Sequence, residues 1–97
     1  MDGNCYVYIM ASKRNGSIYI GFTTDLVKRV RAHKRGTGSV FTRTYKANIL
    51  VYYEKLDDRG AAVHREKQLK WWKREFKLAL IEARNPEWKD LWEEIAQ

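Results

Sequence analysis

The chain has 97 residues, 44 % of them hydrophobic and 13 % aromatic, with a formal net charge of +7. That suits one domain, residues 1–97, with a modest core, and excludes a disordered chain. A single cysteine excludes an intrachain disulfide, two widely spaced histidines make a poor zinc set, and no apolar run approaches the ~20 residues of a membrane span. With no leader-like N-terminus, a soluble protein of the reducing cytoplasm with no membrane partner is expected.

Residues 5–11 (Cys-Tyr-Val-Tyr-Ile-Met-Ala) read as a strand apolar on both faces, with Tyr6 and Tyr8 on one and Val7 and Ile9 on the other. Ser12 to Gly16 is a turn containing Asn-Gly, and the alternation over 17–22 predicts the second strand of a hairpin. Thr24 and Asp25 offer N-capping oxygens to a helix over 24–34. Leu26, Val27 and Val30 form its apolar stripe, and Arg29 and His33, four apart, share a face beside it. Residues 35–47 have no clean period. Their glycines, hydroxyls and cations suit a loop touching phosphates, or an ordinary surface connection.

Ile49 to Glu54 predicts a third strand. Asp57 and Asp58 then cap a long helix over about 59–75, striped by Ala62, Leu69, Trp72 and Phe76. Glu66 falls within that stripe. Either it pairs with Lys70 at i+4, or it is a carboxylate held for a bound ion. Residues 76–84 read as another helix, and a last helix begins at Pro86 with Asn85 as its N-cap. Trp71, Trp72, Trp88 and Trp92 read as core and helix-packing residues rather than base-stacking platforms. The order ββαβααα gives an α+β fold around a three-stranded, mainly antiparallel sheet flanked by helices.

The charge is unevenly placed. Residues 13–46 hold Lys13, Arg14, Lys28, Arg29, Arg31, Lys34, Arg35, Arg43 and Lys46 against the single acid Asp25, so this half carries +8 and the remainder −1. Such asymmetry fits a face for a polyanion, with these cations on phosphates, or merely a soluble basic surface.

Tyr6-Val7-Tyr8 and Tyr19-Ile20-Gly21, about ten residues apart, resemble the two halves of the GIY-YIG nuclease motif. The second triplet is intact. In the first, Tyr6 stands in place of glycine and Val7 in place of isoleucine. Arg29 and His33 follow Tyr19 by ten and fourteen residues, as in the family, and Glu66 matches its metal-binding glutamate. Asn85 matches a further polar position that is also explained as a helix cap. The chain is most similar to the small stand-alone bacterial branch of predicted endonucleases with this URI-type domain, which lacks the DNA-reading domain of larger members.

The resemblance implies a GIY-YIG fold and a DNA endonuclease of repair or recombination that reads DNA shape or ends. Tyr8 would be the base, Tyr19 its hydrogen-bonded partner, Arg29 the phosphate clamp, His33 a proton acceptor or relay, and Glu66 the ligand of one Mg²⁺ or Mn²⁺. Gly21 would serve a structural role in the motif. A free phenol has a pKa of about 10, so Tyr8 would need Arg29, the metal and a hydrogen bond to lower it. The family's lysine three after the first-motif tyrosine is Ala11 here, with Lys13 or Arg14 as substitutes. The altered first triplet and Ala11 motivate the alternative, a non-cleaving module that binds DNA or RNA.

Overall fold

A computed structural model describes residues 4–96. Three antiparallel strands form its sheet: β1 (Cys5–Ala11), β2 (Ile18–Thr23) and β3 (Ile49–Leu56), in the order β2-β1-β3. The expected central strand, β1, is almost wholly buried. Its period-2 pattern divides two cores. Val7 and Ile9 join Ile20, Val51, Ala62, Leu69 and Ile81 on one face. Tyr8 and Met10 join Leu26, Val30, Ala47 and Leu50 on the other. Helix α1 (Leu26–Lys34) covers the tyrosine face, and Asp25 caps it by accepting the Lys28 N–H at 3.1 Å. The opposite face is covered by α3 (Arg59–Trp71), capped through Asp58, and α4 (Arg74–Arg84).

Four expectations need correction. The segment over 35–47 is not all loop: Val40–Tyr45 form a short helix, α2, N-capped by Ser39 and closed by Lys46 in the left-handed conformation. The helix expected over 59–75 stops at Trp71. Trp72 and Lys73 are extended (ψ 149° and 152°), Trp72 packs against the core, and Phe76 lies exposed on α4. The 3.6-residue period ran across this break because neither Gly nor Pro marks it. Trp71 is no packing residue at all, since 88 % of its surface is exposed.

The chain after Pro86 turns, and only Trp92–Ile95 form a helix, α5. Asn85 therefore caps no following helix. It is buried, donating from Nδ2 to the carbonyls of Val51 (3.1 Å) and Lys89 (2.9 Å) and accepting the Lys89 N–H at 3.0 Å. This staples the C-terminal segment to β3, where the register with β1 shifts between Ile9 and Met10. The structure thus gives Asn85 a scaffolding position.

Candidate active site

Strand pairing sets the tyrosines. Tyr8 stands opposite Gly21 and Met10 opposite Tyr19, so both phenols share the face covered by α1. Gly21 is a steric requirement: a Cβ there would lie 2.6 Å from Tyr8 Oη and 3.1 Å from Tyr19 Cε2. The last turn of α1 brings His33 onto the same face, with its ring centroid 5.5 Å from that of Tyr8 and 5.3 Å from that of Tyr19.

His33 is buried, and both ring nitrogens are engaged. Nε2 lies 2.8 Å from Tyr8 Oη and Nδ1 lies 2.9 Å from Thr42 Oγ1. Thr42 Oγ1 lies 2.9 Å from Ser39 Oγ and 3.3 Å from the Ser39 carbonyl, so its own hydrogen has acceptors other than His33. The buried Tyr8 hydroxyl finds its acceptor in His33 Nε2, which assigns the proton of neutral His33 to Nδ1. Sequence reasoning missed Ser39, Thr42 and Gly38. Only a helix-capping pattern, Ser39 before Val40, hinted at α2. Gly38 is needed because a Cβ there would fall 2.2 Å from His33 Nδ1. Gly38→Ala is expected to cost about 1–3 kcal/mol, as overpacking does, and to expel His33; urea unfolding and the His33 NMR shifts check this.

Burial, and then the Arg29 guanidinium, push His33 down to a pKa of about 4. The unfolded chain has a His near 6.5, so it binds protons more readily than the folded one below that pH. Stability is then lost as pH falls from about 6.5 to about 4, by roughly 3 kcal/mol at ~1.4 kcal/mol per unit. Urea unfolding at several pH values should show that slope in the native chain and its absence in His33→Gln.

The two phenols are not hydrogen-bonded to each other as expected; their rings meet at 6.4 Å and Tyr8 bonds His33 instead. Nor is Tyr8 lowered. Burial, the Tyr19 phenol and the Glu66 carboxylate raise it above the ordinary phenol range, against a lowering by Arg29. Tyr8 is 1 % exposed, whereas Tyr19 is half-buried and nearer solvent. Those influences also locate Arg29 and Glu66 within electrostatic reach of Tyr8.

Arg29 is exposed and lines a groove of about 490 Å³ with Lys28, Thr23, Thr24, Thr37 and Gly38. Helix α3 packs on the opposite face of the sheet, against β2 and β1. Glu66 Oε2 pairs with Lys70 Nζ at 3.1 Å, and the same ammonium lies 6.0 Å from the Tyr19 ring centroid. The expected Glu66–Lys70 pair is thus present, close to the Tyr19 ring. Lys70 is a cation the sequence reading did not place at the site.

The remaining cations divide. Lys13 and Arg14 are exposed in the β1–β2 turn, and Arg35, Arg43 and Lys46 are exposed around α2. Lys34, expected on phosphate, is committed to Asp90 and the Asn48 carbonyl, and Arg31 and Lys34 both lie over the Trp92 ring at 5.7 Å.

Among the described residues no three His, Cys, Asp or Glu side chains group as a metal cage. The donor chemistry at Glu66 is one carboxylate with an ammonium in contact. That is too few ligands for a tetrahedral zinc site, and a hydrated hard cation could take the carboxylate only if Lys70 gave it up. No described helix is long and apolar enough to cross a membrane.

A family model described as the GIY-YIG catalytic domain matches residues 4–79. A UPF0213 protein of Staphylococcus haemolyticus is 39 % identical over 79 residues, covering 81 % of this chain and 95 % of its own. Another, from Haloquadratum walsbyi, is 43 % identical over 82 residues, covering 84 % and 91 %. The solution NMR structure of a UPF0213 protein from Bacillus halodurans superposes with a TM-score of 0.55 at 29 % identity, over 89 % of this chain and 90 % of that one.

Proposed function

Since the chain belongs to the GIY-YIG catalytic domain family, a family of nucleases, we propose that it is a metal-dependent endonuclease that hydrolyses DNA phosphodiester bonds, acting in repair or recombination. What supports this reading is the hydrogen-bonded line Tyr8–His33–Thr42 beside one exposed arginine and one carboxylate.

Arg29 takes two oxygens of the scissile phosphate with its planar fork. Tyr19, at the solvent side, orients the attacking water. Tyr8 accepts a proton from that water while passing its own to His33 Nε2, so the buried phenol never carries a full charge. Thr42 holds the imidazole in the accepting tautomer and takes no proton itself. The His33 imidazolium is short-lived, because burial and Arg29 oppose it, and it returns the proton toward the leaving oxygen. Glu66 would hold one Mg²⁺ or Mn²⁺, which when bound supplies charge neutralisation at the phosphate. Lys70 must then release Glu66 and becomes available to the same phosphate. Lys28, Arg35, Arg43, Lys13 and Arg14 hold the flanking backbone.

Incubation of supercoiled and branched DNA with Mg²⁺ or Mn²⁺ tests this. Cleavage should appear only with metal and fall on the order of 10²-fold or more in Arg29→Ala with the fold intact. Equal cleavage by that variant, or none by the native chain with either metal, rejects the mechanism.

One observation favours a second reading. The Lys70 ammonium already neutralises Glu66, which suits a module that binds DNA or RNA without cutting. That module would bind with the same steep salt dependence but without dependence on metal or Glu66.

A further inference from the structure

The reaction proposed above leaves an aromatic corner unused. Five residues beyond Glu66, Trp71 ends α3 with 88 % of its surface exposed, and Phe76 at the start of α4 is 53 % exposed. Both line a shallow groove of about 810 Å³ with Trp72, Lys73, Ala79 and Leu80. Large aromatic side chains left in water over such a patch mark a contact surface.

Charge identifies the contact. From Glu66 to Phe76 the chain holds Lys67, Lys70, Lys73 and Arg74 against Glu66 and Glu75, a net +2. Arg74 Nη2 donates to the carbonyls of Asn15 (2.9 Å) and Gly16 (2.6 Å), which draws the exposed Lys13–Arg14 turn to the same corner. A second copy would bring +7 against +7, a repulsive pairing. A single nucleic-acid strand offers both complements, phosphates for the cations and free base faces for the rings. In a duplex those faces are already stacked. The corner is also continuous with the site: Lys70, adjacent to Trp71, touches Glu66 and overlies the Tyr19 ring.

We infer that the α3–α4 corner is a base-stacking platform, where Trp71, with Phe76 along the same groove, holds an unpaired base of a strand that runs on past Lys70 and Glu66. The preferred substrate is then a strand with unpaired bases. That preference rests on the nuclease reading; binding at the platform does not.

The test is fluorescence anisotropy of a labelled single-stranded oligodeoxynucleotide, in EDTA so that nothing is cut. The probes are that strand and an abasic strand of equal length, against native chain, Trp71→Ala and Trp71→Phe. Trp71→Ala should bind the normal strand about 10- to 100-fold more weakly, the usual loss of a stacked base. Trp71→Phe should stay within a few-fold of native, and the abasic strand should bind the native chain as weakly as the normal strand binds Trp71→Ala. Unchanged affinity in Trp71→Ala, or equal affinity for the two strands, overturns the platform. So does a native dimer in sedimentation that Trp71→Ala dissolves, because the groove is then covered by a second copy. If Trp71→Ala binds normally while Arg29→Ala fails to cut, the platform falls and the nuclease reading stands. If stacking is found and Arg29→Ala cuts normally, the reverse holds.

Discussion

Tyr8→Phe should lower the single-turnover rate of DNA cleavage by 10²- to 10⁴-fold, the usual range for a positioned proton-transfer group. The phenol is the link between the site and the His33 lone pair, 2.8 Å away. His33→Gln should lose a comparable amount, and the double variant should be little worse than either single one, because residues acting as one relay do not add. Tyr8→Phe also leaves Nε2 of a buried imidazole unpartnered, which costs about 1–3 kcal/mol. Rates are therefore compared well below each variant's melting temperature, with folding checked by circular dichroism. Tyr19→Phe should lose less, because Tyr19 orients the water without accepting its proton. Strictly additive losses for Tyr8 and His33 would mean that they do not share a proton path.

Glu66→Gln should reduce metal-dependent cleavage on the order of 10³-fold, a loss of several kcal/mol of transition-state stabilisation. Binding of the same DNA should hold or tighten. The substitution keeps the side chain's shape, removes a negative charge beside the phosphate path, and frees Lys70, now 3.1 Å from the carboxylate. Opposite movements of cleavage and affinity are the signature of a metal-holding carboxylate in a cationic groove. Parallel losses would make Glu66 a structural residue that keeps α3 in place.

Much of this was legible in the residues because the relevant signals are local. The apolar strand over 5–11 and the alternation over 17–22 gave the hairpin, and Asp25 gave the start of α1. That Tyr8 and Tyr19 share a face depends on the pairing register, Tyr8 against Gly21 and Met10 against Tyr19. What was not legible depended on contacts distant in sequence. Thr42 and Gly38 matter only because α2 folds back on His33, and no periodicity reports that. Asn85 carries an N-cap signature before proline, yet its amide is spent on Val51, 34 residues away. The break after Trp71 has no Gly or Pro. It follows from Trp72 turning into the core, which leaves Trp71 outside. Period and propensity describe a helix face; they do not say where packing will interrupt it.

The environment of Tyr8 was the other thing the residues could not give. Its hydroxyl was expected to be lowered by Arg29, and Arg29 does act that way, but burial outweighs it. The proton route through His33 answers that fact, since a phenol that exchanges one proton for another needs no low pKa.

A crystal structure of Tyr8→Phe with Mn²⁺ and a short DNA strand tests the central claim most directly. An anomalous peak at the Glu66 carboxylate, with Lys70 turned away and a phosphate against Arg29, is the predicted result. An ion bound elsewhere, or Glu66 still paired with Lys70 while the DNA lies on another surface, would contradict it.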